Sequence, residues 1–481
     1  MLVAGLDVGG SSVKAWVRDL DAARTWQSSV DTQTLRPAPH RAEMDAVAWE
    51  GACRQALADV VDRAGRPGAD YLGLTVSSLR QGFVLLGADG EVLGPGVLNS
   101  DRRGGPYAHV LAGSHDLTGH WPAAELTLPK LMAVAAEEPD RWAAARRVLF
   151  LHDWLLWRLS GTQVTEASYA CGGGMADVAR RTWATDLVEG CGVPAGLLAP
   201  VVEAGTVVGE LRPGWALPES LPVVAGCGDT QLAAMGVGGL ADGVVVVVAG
   251  SSTPVVAATG APVRDPLARP WVSTHADRGL WAAEGNAGYP GTWSGWWERT
   301  AGQQDERDVL PGPGGVLAVT ATPYWSQQTW EDRAPVSLVG LRPGTTAADV
   351  RAALVQAHAF SVRGNLADLA RALGRPAAEV VVTGGAAADG RLPALLAQVL
   401  GREVRHAPGS GAAEAGAFLV ARGLGAHAHR PGLPPRVLPA GDAAPWQVAY
   451  ERWLEACAVL RSLPDTDADT DTDTDTDAGE G

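Results

Sequence analysis

The feature that most constrains the fold of this chain is a strand-turn-strand unit that occurs twice, about half the chain apart. In Leu2 to Val17, an apolar strand ends at Gly9-Gly10-Ser11-Ser12 and a second strand follows. In Val244 to Thr259, a run of valines ends at Gly250-Ser251-Ser252 and again a strand follows. Each pattern predicts a β-hairpin. The repetition predicts two copies of one domain that face each other, with one turn from each pointing into a shared cleft.

Length and composition favour a globular chain with two domains. The chain has 481 residues, which exceeds the size at which a single hydrophobic core stops growing. Apolar residues make up 46% and charged residues 19%, as in soluble globular proteins. No apolar run reaches the roughly 18 residues of a membrane span. Met1 to Asp7 has no basic stretch and reaches an acid at once, so it predicts a buried strand rather than a secretory signal.

The cysteines and the charge indicate a cytoplasmic protein that does not bind nucleic acid. The cysteines are odd in number and show no CxxC pair or metal-ligand spacing, which favours reduced thiols. They are Cys53, Cys171, Cys191, Cys227 and Cys457. The formal net charge is −16, and the seven Asp and one Glu between Asp465 and Glu480 contribute half of it. The folded body is therefore only mildly acidic, and a negative protein does not attract nucleic acid.

The tail at 464–481 alternates acid and threonine and carries no large apolar residue, so it is predicted to be disordered. It is either a metal-binding or solubilising tail or a solvated appendage, and composition favours the appendage.

Periodicity in the rest of the chain predicts an α/β protein. Short apolar runs predict strands at Leu221 to Ala225 and Glu379 to Thr383. Helical spacing predicts helices at Asp140 to Leu159, Ala176 to Leu187, Ala347 to Leu373, Leu392 to Leu400 and Pro445 to Leu463.

The two glycine-serine turns are candidate phosphate sites, because backbone N–H groups at such turns can approach a phosphate closely. Either turn alone is better explained as a common hairpin turn, whereas the matched pair favours phosphate binding. Asp7 stands just before the first turn, among aliphatic residues, where a carboxylate needs a cation or donors. A magnesium ion held through water fits, and a turn-stabilising aspartate fits equally well. Lys14 is one of only two lysines among 38 basic residues.

Asp229 follows a predicted strand and a glycine turn, in the segment Leu221 to Gln231, and stands at the start of a predicted helix. One role for it is the helix N-cap, which is worth about 1 kcal/mol. The other is a general base that takes the proton of a substrate hydroxyl as its oxygen attacks the γ-phosphorus of ATP. On this segment alone the cap is favoured.

Two further segments carry candidate binding residues. Gly384-Gly385-Ala386 follows a strand and offers side-chain-free backbone, against which an adenine ring can lie, although close packing of helix on strand explains it equally well. Ser77 to Gly82 and Asn99 to Arg103 form a polar cluster at two predicted strand ends. Such a set can read hydroxyl groups, and an exposed ion pair between Arg80 and Asp101 is the alternative.

Taken in chain order, these motifs resemble those of the FGGY carbohydrate kinases. The motifs are Asp7-x-Gly9-Gly10-Ser11-Ser12-x-Lys14, Gly226-x-Gly228-Asp229, Gly250-Ser251-Ser252 and Gly384-Gly385. Segments between them agree, including Pro129-Lys130-Leu131, Thr165-Glu166-Ala167-Ser168 and Gly340 to Gly344. The resemblance implies two actin-like, ribonuclease-H-like ATPase domains, at 1–240 and 241–463. These would close over ATP, Mg²⁺ and a small carbohydrate.

The resemblance also implies a role for each motif. Asp229 would be the catalytic base, and Asp7 the carboxylate on the magnesium side. The phosphates would be held by Gly10, Ser11, Ser12, Lys14, Gly250 and Ser251, and the adenosine by Gly384, Gly385 and Ala386. Gly10 departs from the family, which usually has threonine there, so one hydroxyl is missing from the implied phosphate site.

The polar cluster indicates the branch of the family. Xylulose kinases usually show Met-His-Gly where this chain has Arg80-Gln81-Gly82, and glycerol kinases carry Arg-Glu followed by Asp-Arg-Arg. Autoinducer-2 kinases carry Ser-Met-Arg-Glu-Gly and Asn-x-Asp-x-Arg, which is closer to Ser78 to Gly82 and Asn99 to Arg103. Trp281 to Asn286 also resembles that branch. The implied substrate is an autoinducer-2 type hydroxyketone, a pentulose or a glycerol-like polyol, bound by Arg80, Gln81, Asp101, Asn286 and Asp229.

Two other classes of protein share the superfamily. A nucleotide-dependent switch like actin or the chaperone ATPases would bind a protein partner, but it needs neither a base at Asp229 nor the Arg80 cluster. A sugar-responsive repressor is disfavoured because the sequence shows no added helix-turn-helix and no zinc-type cysteine cluster. We expect a small-molecule substrate and no nucleic-acid or membrane partner. The choice between monomer and homodimer is left open.

Overall fold

The computed structural model describes residues 1–66, 71–301, 312–320, 336–409, 411–427, 430–432 and 435–462. The acidic tail predicted at 464–481 and residue Leu463 lie outside these ranges. Within them the chain forms two halves, each built on one large mixed sheet flanked by helices. No helix in the described ranges combines the length and the hydropathy needed to span a membrane.

The first half contains fourteen described strands and eight described α-helices. The strands are β1 (Leu2–Val8), β2 (Ser12–Asp19), β3 (Arg24–Asp31), β4 (Glu43–Met44), β5 (Tyr71–Ser78), β6 (Phe83–Leu86), β7 (Gly96–Val97), β8 (Arg147–Phe150), β9 (Thr165–Glu166), β10 (Ala176–Asp177), β11 (Thr182–Trp183), β12 (Val201–Val202), β13 (Val207–Glu210) and β14 (Pro222–Gly228). The helices are α1 (Ala46–Ala64), α2 (His115–Thr118), α3 (Thr127–Glu137), α4 (Pro139–Ala144), α5 (Leu151–Ser160), α6 (Ala167–Gly172), α7 (Thr185–Gly190) and α8 (Asp229–Gly236).

The second half contains nine strands and five α-helices among the described residues. The strands are β15 (Val244–Val248), β16 (Pro254–Thr259), β17 (Trp271–Thr274), β18 (Trp281–Asn286), β19 (Leu317–Val319), β20 (Ser337–Val339), β21 (Glu379–Thr383), β22 (Val404–His406) and β23 (Arg436–Leu438). The helices are α9 (Pro290–Ala301), α10 (Ala347–Leu373), α11 (Arg391–Leu400), α12 (Ala412–Gly423) and α13 (Ala444–Arg461).

The two large sheets repeat the same arrangement of strands. The first has the order β13-β14-β5-β1-β2-β3 and the second β17-β18-β16-β15-β21-β22-β23. In each, an antiparallel hairpin (β1 with β2, β15 with β16) continues into parallel strands (β5 and β14, β21 and β22). The predicted hairpins and the predicted duplication are confirmed.

Each sheet is the centre of its own hydrophobic core. Leu6, Val76 and Val223 of the first sheet pack in the core that also receives apolar residues of α1 and α5. Val247 and Val382 of the second sheet belong to a separate core with residues of α10, α11 and α13. Strands that are buried on both faces read as unbroken apolar runs, which is why their positions could be seen in the sequence.

Helix α10 is the longest described helix and has the bounds predicted for it. Thr346 caps its N-terminus in a capping box with Asp349, and Gly374 ends it in the left-handed conformation. A polar threonine followed three residues later by an acid, and a glycine after the last turn, are signals that the sequence displays directly.

Helix α12 of the second half packs against the sheet of the first half. A Cβ on Gly416 of this helix would lie 2.5 Å from the ring of Trp16 in β2, so only glycine allows the approach. Arg18 of β2 also pairs with Glu414 of α12 at 2.8 Å. The two halves are therefore joined by direct packing as well as by the chain.

Two predicted helices are wrong. Asp140 to Leu159 contains α4, strand β8 and α5, because the apolar residues of β8 pair with β6. Ala176 to Leu187 begins as the small hairpin β10–β11. Its turn is closed by the side chain of Asp177, which accepts two backbone N–H groups, and by Arg181 at φ 59°. Long-range strand pairing and local turn chemistry overrode helical propensity in these segments.

Strand β14 approaches β5 so closely that Gly226 has no room for a side chain. A Cβ there would lie 1.8 Å from the carbonyl oxygen of Val76. We expect Gly226→Ala to lower the free energy of unfolding by about 1–3 kcal/mol through overpacking, measured by urea denaturation.

The same substitution at Gly51, in α1, is the control for this prediction. A Cβ at Gly51 meets nothing within 4 Å. Gly51→Ala should raise the free energy of unfolding by roughly 0.5–1 kcal/mol. Equal stability of Gly226→Ala and wild type would contradict the close strand contact.

Candidate active site

Three parallel strands of the first sheet end at the same edge. Asp7 near the end of β1 lies opposite Ser77 of β5, and Gly228 at the end of β14 lies opposite Ser78. Asp229 follows β14 directly and begins α8. Ligands of α/β proteins bind at such carboxyl ends. The register alone thus brings Asp7, the segment after β5 and Asp229 to one place.

A cavity of about 140 Å³ lies at this edge and receives residues from both halves of the chain. Its walls include Arg80, Gln81 and Asp229 from the first half and Ser252, Glu284 and Asn286 from the second. We call it the interdomain cavity. Its size suits a small polar molecule.

Asp229 has the electrostatic environment of a group that titrates near neutrality. Burial raises the pKa of its carboxyl group, the guanidinium of Arg80 lowers it, and the carboxylate of Asp7 raises it, so that the pKa is about 6. Its Oδ1 atom accepts the backbone N–H of Thr230 at 2.7 Å. The carboxylate is therefore held in place and is largely ionised at pH 7.

Arg80 and Glu284 form a buried ion pair across the two halves. Nη2 of Arg80 lies 2.8 Å from Oε1 of Glu284, and the side chains are 8% and 5% exposed. Sequence analysis did not select Glu284. The available signal was an acid in the middle of the otherwise apolar strand β18, whose neighbours are buried.

Four of the five predicted substrate contacts line the interdomain cavity: Arg80, Gln81, Asn286 and Asp229. Gln81 has a φ of 65°, which is uncommon for a residue other than glycine, and its carbonyl oxygen accepts the hydroxyl of Thr127. Oδ1 of Asn286 accepts the N–H of Gly288 at 2.9 Å. These contacts fix the backbone that carries the cavity walls.

Asp101 does not reach the interdomain cavity, and its predicted role as a substrate contact is corrected here. It is fully buried, and its two carboxylate oxygens accept hydrogen bonds from the guanidinium of Arg103 and from the backbone of Ala42 and Arg103. Its neighbours Asn99 and Ser100 line the cavity instead. Because both carboxylate oxygens of Asp101 accept hydrogen bonds inside the protein, this residue holds the loop in position. The residues that precede it form the cavity wall.

A second cavity, of about 430 Å³, joins the first hairpin to the turn after β21. Asp7, Lys14, Gly384 and Gly385 are among its walls. Oδ1 of Asp7 accepts the hydroxyl of Ser77 at 2.8 Å. Burial raises the pKa of Asp7, and Ser77 and Lys14 oppose that rise. We call this space the hairpin cavity.

The two turns of the second half lie side by side. The N–H of Ala386 donates to the carbonyl oxygen of Ala249 at 2.9 Å, and the N–H of Ala249 donates to Thr383. A Cβ on Gly384, which has a φ of 100°, would lie 2.3 Å from the same carbonyl oxygen of Ala249. The turn with Gly250 and Ser251 is thus fixed against the turn with Gly384. A further cavity of about 340 Å³ is lined by Gly385 and Ala386 on the other side.

The first turn is open to solvent and lies beside Leu79, a wall residue of the interdomain cavity. Ser11 is exposed, and Gly10 and Ser12 are partly exposed. The N–H of Gly9 closes the turn on the carbonyl oxygen of Ser12 at 3.0 Å. A Cβ on Gly10 would lie 3.9 Å from Leu79, a wall residue of the interdomain cavity.

Helix α6 ties together the two strand ends that carry the cavity residues. The hydroxyl of Tyr169 accepts the N–H of Ser78 at 2.8 Å and lies 2.9 Å from the carbonyl oxygen of Cys227, to which it donates. The hydroxyl of Ser168 accepts the N–H of Gly228 at 3.0 Å and donates to Glu166. Sequence analysis quoted Ser168 only as part of a motif and did not select Tyr169.

The two facing sheet-and-helix halves have the two-domain, actin-like and ribonuclease-H-like ATPase fold. The chain belongs to the FGGY family of carbohydrate kinases. The model of that family's N-terminal domain matches residues 2–236, and the model of its C-terminal domain matches residues 245–422.

Individual relatives agree with this assignment. The protein YoaC of Bacillus subtilis, named as a sugar kinase, is 33% identical over 46% of this chain and 46% of its own length. An autoinducer-2 kinase of Salmonella paratyphi B is 28% identical over 60% of this chain and 57% of its own length. The alignments thus span about half the length of these relatives. A solved structure from Brucella ovis, titled a xyloylose kinase, is 25% identical with a TM-score of 0.84 and covers 96% of this chain and 100% of its own.

The hydroxyl of Tyr169 should contribute to stability because it bridges two strand ends. We expect Tyr169→Phe to lower the free energy of unfolding by about 1–3 kcal/mol, since buried backbone groups of Ser78 and Cys227 lose a partner. The measurement is chemical denaturation at pH 7.

Tyr71→Phe is the matched control. The hydroxyl of Tyr71 is buried and has no hydrogen-bond partner among the described residues. Its removal should leave the free energy of unfolding unchanged or raise it. Similar losses for both variants would show that the bridge has no special role.

Proposed function

We propose that this protein transfers the γ-phosphoryl group of ATP to a hydroxyl of a small carbohydrate, polyol or hydroxyketone, with Asp229 as the general base. The observation that carries the proposal is the place of Asp229. It directly follows a buried strand, lines the interdomain cavity, has a pKa of about 6 and lies within the electrostatic influence of Asp7, a wall residue of the hairpin cavity.

In this mechanism the substrate hydroxyl donates its proton to the carboxylate of Asp229 as its oxygen attacks the γ-phosphorus. A base with a pKa about one unit below neutral pH is ionised and still accepts a proton readily. The cation of Arg80 lowers the pKa of Asp229 and keeps the carboxylate charged. Phosphoryl transfer otherwise depends on positioning and charge, which the two halves supply together.

The nucleotide would be held by the turns that flank the hairpin cavity. Backbone N–H groups and hydroxyls at Gly10, Ser11, Ser12, Gly250 and Ser251, together with the ammonium of Lys14, would bind the phosphates. Gly384, Gly385 and Ala386 would lie against the adenosine. Glycine is also required at 384 for packing, because a Cβ there would collide with the carbonyl oxygen of Ala249. The lack of a side chain at this position therefore has a structural cause in addition to the proposed binding role.

Asp7 is the residue that would hold a divalent metal, which we propose to be Mg²⁺. Its carboxylate is held by Ser77 at the wall of the hairpin cavity, and a single carboxylate with phosphate oxygens and waters is a common magnesium site. When bound there, the ion would neutralise charge on the transferring phosphoryl group.

The substrate class is supported by the family and by the interdomain cavity. The named relatives include an autoinducer-2 kinase and a solved structure titled a xyloylose kinase, and the cavity offers amide, hydroxyl and charged groups in a small volume. An autoinducer-2 type hydroxyketone, a pentulose and a glycerol-like polyol are the compounds to test. A nucleotide-dependent protein switch has no use for Asp229 and Arg80 in one small cavity.

Removal of the base should abolish turnover. With ATP, Mg²⁺ and a panel of such compounds, wild-type protein should release ADP for at least one of them. Asp229→Asn should lower kcat by about 10²- to 10⁴-fold while ATP binding, measured by calorimetry, stays close to wild type. Asp62→Asn, at an exposed position of α1, is the control and should keep full activity.

Two results would contradict the proposal. ADP release by Asp229→Asn at the wild-type rate would remove the base from its role. Release of ADP that no member of the panel increases would remove the carbohydrate kinase activity.

The pH profile should report the raised pKa of Asp229. Only the ionised carboxylate accepts the proton, so kcat/KM should fall about tenfold per pH unit as the pH decreases through about 6. A base with the ordinary pKa of 3.8 would leave kcat/KM flat down to pH 5. A profile that is flat between pH 7 and pH 5, with the protein still folded by circular dichroism, would contradict the assignment.

A further inference from the structure

The ion pair between Arg80 and Glu284 leaves one donor and one acceptor unused. Nη2 of Arg80 and Oε1 of Glu284 bind each other, whereas Nη1 of Arg80 and Oε2 of Glu284 are buried and have no hydrogen-bond partner among the described residues. Both side chains are more than nine-tenths buried and line the interdomain cavity. Unpaired buried polar atoms cost free energy, so this pair is completed by something that enters the cavity.

The missing partner has the hydrogen-bonding properties of a hydroxyl group. A hydroxyl accepts from a guanidinium and donates to a carboxylate, so one hydroxyl or two adjacent hydroxyls satisfy both unused atoms. A carboxylate or a fully ionised phosphate cannot donate to Glu284. A carbonyl group cannot do so either. The pair therefore favours hydroxyl groups over groups that only accept hydrogen bonds.

The charge of the cavity also excludes anions. Three carboxylate side chains line it, those of Glu125, Asp229 and Glu284, against the guanidinium of Arg80. Glu125 is compensated in part by Arg102, which lies 3.5 Å away outside the cavity wall. Arg80 is already paired with Glu284, so an entering anion meets an excess of negative charge in a poorly solvated space. The indole rings of Trp121 and Trp271, whose centroids are 5.2 Å apart, add apolar surface that suits the C–H groups of a sugar.

We propose that Glu284 is a specificity-determining residue of the second domain, which together with Arg80 reads a hydroxyl of the phosphoryl acceptor. The acceptor is then an uncharged molecule with adjacent hydroxyls, and aldonates and sugar phosphates are excluded. This inference rests on the proposed function. It adds to it a residue from the second half and a restriction on the substrate.

The alternative role for Glu284 is a latch that only holds the two halves together. The chain offers a matched pair to separate the two roles. Arg18 and Glu414 form another ion pair between the halves at 2.8 Å, and both are 17% exposed. Neither is among the wall residues of the interdomain cavity. If both ion pairs only hold the halves together, substitution of Glu284 and of Glu414 should have the same effect. If Glu284 selects the acceptor, only its substitution should change the preference among acceptors.

The experiment compares wild type, Glu284→Gln and Glu414→Gln with matched acceptors. ADP release is measured with glycerol, ribitol and xylulose as neutral acceptors, and with glycerate, ribonate and xylonate as acids of the same carbon number. We expect wild type to prefer the best neutral acceptor over its acid by at least about 100-fold in kcat/KM. Glu284→Gln should raise KM for that acceptor by roughly 10- to 100-fold. The ratio of kcat/KM for the neutral acceptor to kcat/KM for its acid should therefore fall. Glu414→Gln should keep the wild-type preference.

Each outcome decides the inference. If neither the neutral nor the acidic acceptors stimulate wild type, the proposed function fails and this inference fails with it. If wild type is active but accepts the acid as well as the neutral compound, or prefers the acid, the inference alone is overturned, and this result needs no variant. It is also overturned if Glu284→Gln, shown to be folded by circular dichroism, keeps the wild-type preference, or if Glu414→Gln changes it equally.

Discussion

The parallel pairing of β1, β5 and β14 is the interaction on which the candidate site depends. Parallel strands end at the same edge of a sheet, so the register that sets Asp7 opposite Ser77 and Gly228 opposite Ser78 also assembles the site. Gly226 allows β14 to approach β5, and Ser168 and Tyr169 hold the two strand ends together. Asp229 owes its position to these backbone contacts.

Duplication of the sheet supplies the other side of both cavities. β15 and β21 repeat the arrangement of β1 and β5, and their turns are fixed to each other through Ala249. Helix α12 then packs on the first sheet, so turns from both halves reach a common space. A kinase needs two ligands next to each other and away from water, and two facing domains provide that arrangement directly.

Burial of charge gives the site its chemical character. Burial raises the pKa of Asp229 to about 6; the guanidinium of Arg80 opposes this rise, and the carboxylates of Asp7 and Glu284 add to it. One cation serves two acids. Arg80 pairs with Glu284 and at the same time opposes the effect of burial on Asp229. In the proposed mechanism, one guanidinium would therefore serve substrate recognition, proton transfer and contact between the halves.

The sequence by itself determined the duplicated hairpins, helix α10 with its caps, the α/β class and the glycine-rich turns, because these features depend on local apolar runs and turn residues. It also indicated Arg80, Gln81, Asn286 and Asp229, through their resemblance to family motifs. Only the tertiary structure decided that β8 is a strand, that the carboxylate of Asp101 is bound by Arg103, and that Glu284 forms an ion pair with Arg80. Each of these depends on a partner far away in the chain, and no local pattern of residues records such a partner.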